Sequence, residues 1–338
     1  MKSLLETLPV AELRKVRAAR PGAELAARPM LATLSDRRDF GTDWIFERKL
    51  DGVRVLAVRE AGEVRLLSRT GRRLDSAYPE IADALAAQEA DDFTVDGEVV
   101  AFDARGRTDF SLLQQRMGLT DARRIRATGV AVTYYVFDLL RLDGADVTAI
   151  PLRSRKSLLR RALIYRAPLR FTPHRNEGGQ ELLDQACGRG WEGLIAKRAS
   201  GPYEPRRSGA WLKLKCGLGQ EFVIGGFTEP AGARIGFGAL LLGYYEGTRL
   251  RYAGKVGTGY DDRTLRELRE RLDGLETGRS PFVDTVRERA PHWAEPRLVA
   301  EVGFSQWTRD GMLRHPRFLG LRDDKRPSDV VRETPAGP

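Results

Sequence analysis

The sequence predicts an α+β chain in two parts: antiparallel sheets flanked by helices up to residue 217, then a small β-barrel. Three observations predict it. At 338 residues the chain is longer than one hydrophobic core fills comfortably. Up to residue 200, stretches of period-2 hydrophobicity bounded by turn residues interleave with stretches of helical period. After residue 219, short apolar runs follow closely on one another, with Gly-rich turns and a single helical pattern.

Each element has its own signal. Residues 1–28 read as a helical extension, with Leu4, Leu5, Leu8, Leu13 and Val16 lining a short amphipathic helix broken at Pro9. A strand begins at Trp44, passes Asp51-Gly52 and resumes at 53–58. The turn Ala61-Gly62 returns it as 64–69, a hairpin. Tyr78, Ile81 and Leu85 stand at helical spacing within 77–88. Strands are expected at 93–102 and 130–140, and helices at 153–163 and 180–187. In the second part, strands at 222–227, 239–245 and 250–254 precede a helix with Leu265, Leu268 and Leu272 on one stripe, and a strand covers 298–307. An OB-fold is one barrel that fits this order. The boundary falls at 216–219, where a basic strand gives way to glycine. The domains are therefore 29–217 and 218–330, with 331–338 a disordered tail.

Bulk composition narrows the function. Hydrophobic content of 41% excludes a disordered chain, and the net charge of +10 favours a polyanion such as nucleic acid as partner. Two cysteines, Cys187 and Cys216, offer neither a disulfide framework nor a zinc site, and three histidines make a His-based metal site a poor expectation. No signal peptide and no transmembrane-length run is visible, so a cytosolic protein without a membrane partner is expected.

Nine lysines stand against 48 arginines, which makes each lysine informative. A guanidinium supplies charge but cannot deprotonate, so it cannot act as a nucleophile. Lys2, Lys15 and Lys156 read as ordinary surface residues; the other six lie in segments with further signals. Lys49 sits in Glu47-Arg48-Lys49-Leu50-Asp51-Gly52-Val53-Arg54. An amine nucleophile must be neutral, and nearby cations or a metal would lower its pKa. Taken alone, Asp51-Gly52 reads first as a plain turn beside a surface lysine.

The remaining segments also carry two readings each. Asp96 and Glu98 share a strand face, as a magnesium site or as solvated acids on an exposed edge. Phe137 in an aromatic strand could stack on a nucleobase or fill a core. Glu192 opens a strand that closes on Lys197-Arg198. Trp211, Lys213 and Lys215 share a face where two ammonium groups would welcome phosphate oxygens. The run from Arg314 to Arg326 mixes cations with two acids.

Order and spacing are less ambiguous than the pieces. Lys-x-Asp-Gly-x-Arg at 49–54, Ser68-Arg69-Thr70-Gly71, Asp-Gly-Glu at 96–98, the aromatic strand at 134–140, Glu-Gly at 192–193 and Lys-x-Lys at 213–215 stand in one order. Together they resemble the covalent nucleotidyltransferases, specifically ATP-dependent DNA ligases, across 29–325. Pro29-Met30-Leu31-Ala32, the Ala253-to-Gly259 run and Arg314-His315-Pro316-Arg317-Phe318-Leu319-Gly320 are similar to the ligase module of bacterial end-joining ligases of the ligase D type and their stand-alone relatives. Leu50 departs from that group, where the position is often aromatic. No polymerase or nuclease module is visible.

The resemblance implies an adenylation domain of antiparallel sheets flanked by helices, followed by an OB-fold barrel. It also implies roles. Lys49 attacks the α-phosphate of ATP, Glu47 lies beside the adenine pocket, and Phe137 stacks on the base. Arg54 and Arg69 bind the ribose or the nick 5′-phosphate, and Glu98 and Glu192 hold Mg2+ or Mn2+ or the ribose. Lys213 and Lys215 contact the α-phosphate, while Arg317, Arg322 and Lys325 orient pyrophosphate. Lys255 belongs to a DNA-facing surface of the barrel. Implied partners are nicked or broken duplex DNA, a Ku-like end-binding protein and a polymerase module, with the chain a monomer. An RNA ligase, a GTP-using capping enzyme and a non-catalytic OB-fold nucleic-acid binder are the competing readings.

Overall fold

The structure, a computed structural model, describes residues 3–18, 20–230, 232 and 234–335. Its contacts divide it into one unit up to Cys216 and a second, Gly217–Glu333.

The longer strands of the first unit are β1 (Leu31–Leu34), β2 (Trp44–Arg48), β3 (Val53–Glu60), β4 (Glu63–Ser68), β5 (Phe93–Val100), β6 (Thr133–Leu142), β7 (Leu169–Phe171), β8 (Gly193–Arg198) and β9 (Arg207–Lys215). Three longer helices accompany them: α1 (Pro79–Ala86), α2 (Leu152–Ala162) and α3 (Gln180–Gly188). The larger sheet runs β6-β5-β3-β4, antiparallel throughout, with β7 parallel on β6. The smaller runs β1-β9-β8-β2.

Alternation along the strands sorts side chains into layers. Val53, Val55 and Ala57 of β3 face a core that holds Ile81 and Leu85 of α1 and Leu158 and Leu159 of α2. Ile81 and Leu85 are fully buried, each contributing roughly 1.5–3 kcal/mol. Leu56, Val58 and Phe137 face the other way and meet Trp211 of the smaller sheet. Beyond that sheet, Phe46, Leu194 and Leu214 pack on Leu183 and Ala186 of α3. The order is helices, large sheet, small sheet, helix, and the gap between the sheets is where polar strand residues collect.

Some expectations need correction. Residues 103–128 carried no predicted element, yet helices form at Phe110–Gln114 and Ala122–Ala127, capped by the Asp109 and Asp121 carboxylates. At five and six residues they are too short for a periodic signal. The N-terminal extension holds a 3-10 turn, Leu4–Thr7, two short helices, Val10–Leu13 and Gly22–Ala26, and a two-residue strand, Arg17–Ala18, with Leu4, Leu5, Leu8 and Val16 packed on the main core. Cys187 and Cys216 form a disulfide, because the end of α3 meets the end of β9 with the Cα atoms 5.3 Å apart. Among the described residues no helix is long and apolar enough to cross a membrane.

The second unit holds β10 (Leu218–Thr228), β11 (Leu240–Glu246), β12 (Arg249–Val256), α4 (Asp262–Asp273), β13 (Pro291–Phe304) and β14 (Arg317–Leu321). Its sheet runs β12-β11-β10-β13 with β14 on β13. Thr258, just past β12, accepts from the Phe318 N–H of β14 at 2.9 Å, drawing the two edges together. The result is the expected small, partly open OB-type barrel, with Leu265, Leu268 and Leu272 of α4 in its core. Residues 331–335 do not behave as a loose tail at their start. Val331 bridges to Tyr245, Arg332 lies over the Trp307 ring, and the Glu333 N–H donates to Gln220. Residues 336–338 lie outside the described residues.

Candidate active site

The small sheet builds one wall. Glu47 of β2 stands opposite Ile195 of β8, and Ile195, Lys197 and Gly193 stand opposite Lys213, Trp211 and Lys215 of β9. Directly opposed residues share a face, so Glu47, Lys197, Trp211, Lys213 and Lys215 form one surface turned to the large sheet. Lys49 follows β2 and its N–H donates to the Gly193 carbonyl at 2.9 Å. Gly193 has φ of +147°, and a side chain there would collide with the Leu214 carbonyl. A Cβ on Gly52 would likewise strike the Val99 carbonyl. Both motif glycines are therefore demanded by close backbone approach.

The Lys49 ammonium pairs with the Glu192 carboxylate. Burial pushes the amine pKa down, Glu192 pulls it up and Lys215 pushes it down again; the balance lies above the ordinary lysine value. The sequence suggested a site tuned to neutralise this amine. The structure instead holds it charged on its carboxylate partner, with a second ammonium close enough to act when that partner leaves.

The opposite wall comes from the large sheet. Arg54 grips Asp96 through two nitrogens at 2.5 Å each and lies 4.7 Å from the Phe137 ring centroid. Asp96 is fully buried and also accepts from the Tyr203 hydroxyl at 2.6 Å. The reading of Asp96 and Glu98 as a metal-binding pair fails on this point: Asp96 is committed to Arg54 and Tyr203. Nor is β5 an exposed edge, since it lies between β3 and β6. Glu98 remains, opposite Arg54 and Tyr135. Phe137 is 8% exposed and edge-on to Trp211 at 5.9 Å, so it serves the core between the sheets while presenting its ring to the site.

Sequence reasoning missed Lys156 altogether. Lys15 is exposed as expected and Lys2 lies outside the described residues, but Lys156 is buried on the inner face of α2. Its ammonium donates to Glu47 at 2.5 Å, and Lys197 lies 2.7 Å from the other Glu47 oxygen. The available signal was position: Lys156 falls beside Arg155 and between leucines on a stripe that has to face inward. Burial would raise the Glu47 carboxyl, but the two ammonium groups outweigh it and hold it below the ordinary carboxylate range. Its stabilising contribution is therefore complete above the unfolded-state pKa and is lost as pH falls through the lower folded value. Glu47→Gln should cost about 3–5 kcal/mol at pH 7 by leaving two lysines short of their anion. Denaturant melts at neutral and acidic pH check this: the gap from the unmodified chain must shrink in acid, and a constant gap would show that the charge is not what matters.

The other expected residues are more dispersed. Arg69 occupies the turn after β4. In the second unit Arg317 is exposed on β14, Arg322 is held by Asp324 at 2.9 Å and Glu301 at 3.3 Å, and Lys325 pairs with Glu221 at 2.8 Å. Lys255 pairs with Glu288 at 2.7 Å on the surface. Among the described residues no three His, Cys, Asp or Glu side chains cluster to hold a metal. A divalent ion would rest on one or two carboxylates and on substrate phosphate, a set that suits magnesium.

The family model for the ATP dependent DNA ligase domain matches residues 29–215, and that for the ATP dependent DNA ligase C terminal region matches residues 233–325. The multifunctional non-homologous end joining protein LigD of Pseudomonas aeruginosa is 42% identical over 318 residues, covering 92% of this chain and 37% of that protein. The multifunctional non-homologous end joining DNA repair protein LigD of Mycobacterium tuberculosis is 40% identical over 316 residues, covering 90% of this chain and 40% of that protein. The chain thus spans well under half the length of these two relatives. A solved structure described as mycobacterial DNA ligase D complexed with ATP and MES aligns with a TM-score of 0.64 at 36% identity, covering 91% of this chain and 99% of that one.

Proposed function

The chain belongs to the ATP-dependent DNA ligases, and from that premise we propose that it seals 5′-phosphate/3′-hydroxyl breaks in duplex DNA through a lysyl-AMP intermediate. The observation that carries this reading is Lys49 itself, a lysine between two carbonyl-lined glycine turns, beside Glu192 and within the field of Lys215.

The first step follows from these groups. ATP enters between the sheets and Glu192 leaves the Lys49 ammonium, being itself the adjacent proton acceptor. Burial and Lys215 then depress the amine against Asp51 alone and expose its lone pair. Nζ bonds to the α-phosphorus, the α–β phosphorus–oxygen bond breaks, and pyrophosphate departs. Lys213 and Lys215 face the charge that develops on the α-phosphate. Phe137 supports the adenine, with Glu47 behind it, and Arg54 and Arg69 bind ribose or the nick 5′-phosphate. Glu98 would hold Mg2+ or Mn2+, which when bound supplies positive charge to the phosphates, and Glu192 would share it only while it does not carry the Lys49 proton. Arg317, Arg322 and Lys325 of the barrel orient pyrophosphate, for which Arg322 and Lys325 must exchange their present acidic partners.

AMP then passes to a DNA 5′-phosphate as the N–P bond breaks, and the neighbouring 3′-hydroxyl displaces it. Broken ends are the proposed setting, by analogy with the end-joining relatives. A Ku-like protein and a polymerase module are the corresponding partners. The experiment is an intact-mass measurement after incubation with ATP and Mg2+. The chain should gain one AMP and lose it again when nicked duplex DNA is added. Labelling from GTP but not ATP, or no covalent label at all, overturns the reading.

A further inference from the structure

Lys156 takes no part in the reaction just described, yet it is 2% exposed and comes from a helix outside every segment that carries the resemblance. We propose that Lys156 is a positioning residue for lysyl-AMP formation: it ties the strand leading to Lys49 to the strand carrying Phe137 and so sets the width of the nucleotide slot between the two sheets. The proposal rests on the reading of the preceding subsection.

An ammonium has three hydrogens to donate, and Lys156 meets three acceptors. They are Glu47 Oε1 at 2.5 Å, the Thr172 carbonyl at 3.1 Å and the Phe137 carbonyl at 3.4 Å. Glu47 belongs to the small sheet, two residues before Lys49. Phe137 belongs to the large sheet, and Thr172 is anchored to it through a 2.9 Å bond from its N–H to the Val136 carbonyl. One buried charge therefore spans both walls of the site.

The link continues to the base platform. The second Glu47 oxygen holds Lys197, whose ammonium lies 4.1 Å from the ring centroids of both Phe137 and Trp211. Moving Lys156 moves Glu47, and with it the cation that sits against the aromatic ring. The neighbouring Arg155 provides the contrast. It is equally buried and pairs with Asp138 of β6 at 2.7 and 3.0 Å; its remaining bonds, to the Ile150 carbonyl at 2.6 Å and to the Gly201 carbonyl at 3.1 Å in the connection after β8, touch neither the strand leading to Lys49 nor Glu47. Apolar residues at both 156 and 47 would pack as well and avoid desolvating the pair. A lysine there makes physical sense as a spacer of fixed length between two surfaces that must admit a flat base.

The test uses the full chain with Lys156→Met and Lys156→Gln, and Arg155→Met for comparison. Two assays are run on each: single-turnover lysyl-AMP formation against ATP concentration, and sealing of a nick whose 5′ end is already adenylated. Both Lys156 variants should need about tenfold more ATP for half-maximal labelling, the scale expected when a reacting group is displaced by a fraction of an ångström. Sealing of the pre-adenylated nick should change by less than about twofold, since that step draws its binding from DNA. Arg155→Met should lower Tm and leave the ratio of the two assays unchanged. If Lys156→Met does not fold, Lys156→Gln, which keeps amide donors for the carbonyls, decides alone. An unchanged ATP dependence in the variants, or equal losses in both assays, overturns the proposal. An unmodified chain that takes up no AMP overturns the ligase reading, and this one with it.

Discussion

Lys49→Arg should reduce lysyl-AMP formation by a factor on the order of a thousand or more, despite preserving the positive charge, because a guanidinium never offers a free lone pair at neutral pH. The structure makes this a clean substitution. Lys49 pairs with Glu192 at the edge of the site with its side chain 19% exposed, so arginine can keep the ion pair without entering the core. The variant should fold with an unchanged Tm, show no added mass after ATP, and still seal a pre-adenylated nick at a measurable rate. A labelled Lys49→Arg chain would mean that another residue is the nucleophile.

The second large effect is expected at Lys215. It stands opposite Gly193, next to the residue that holds Lys49, and its charge is felt at the Lys49 amine. Lys215→Ala removes that field and a donor to the developing α-phosphate charge together, so lysyl-AMP formation should slow by about 10²–10³. Single-turnover labelling at saturating ATP separates this from weaker nucleotide binding, which more ATP would overcome. Lys213→Ala should act in the same direction, and a variant of either lysine that labels at the normal rate would remove that residue from the transition state. Lys197, on the same face but buried against Phe137 and Trp211, should not behave like them. Its ammonium is already spent on Glu47 and the rings, and its loss should unsettle the slot rather than the phosphate.

Much of the wall geometry was legible because strands have a period of two. Lys213 and Lys215 were placed on one face from spacing alone, and the β8–β9 register puts them there. The hairpin after Gly52 and the helix through Ile81 and Leu85 formed close to where pattern placed them, because strong local signals and core burial pointed the same way. Asp96 shows the limit. Its spacing from Glu98 was read correctly, but its partners, Arg54 and Tyr203, are 42 and 107 residues away, and no local pattern announces them.

The sequence by itself determined the kind of chemistry. A lysine followed by Asp-Gly, with acids and a Lys-x-Lys strand in a set order, resembles one family, and that resemblance implies a phosphoryl-transfer site. Only the tertiary structure decided which charges are free to do that chemistry and which hold the site together. Glu192, placed by resemblance at metal or ribose, meets Lys49 across more than a hundred residues; Lys156, read as surface, is the buried link between the sheets. Charge and spacing are properties of the chain, whereas desolvation and pairing are properties of what surrounds each group once distant strands meet. That is why an ammonium can be counted from the sequence but its work assigned only from the fold.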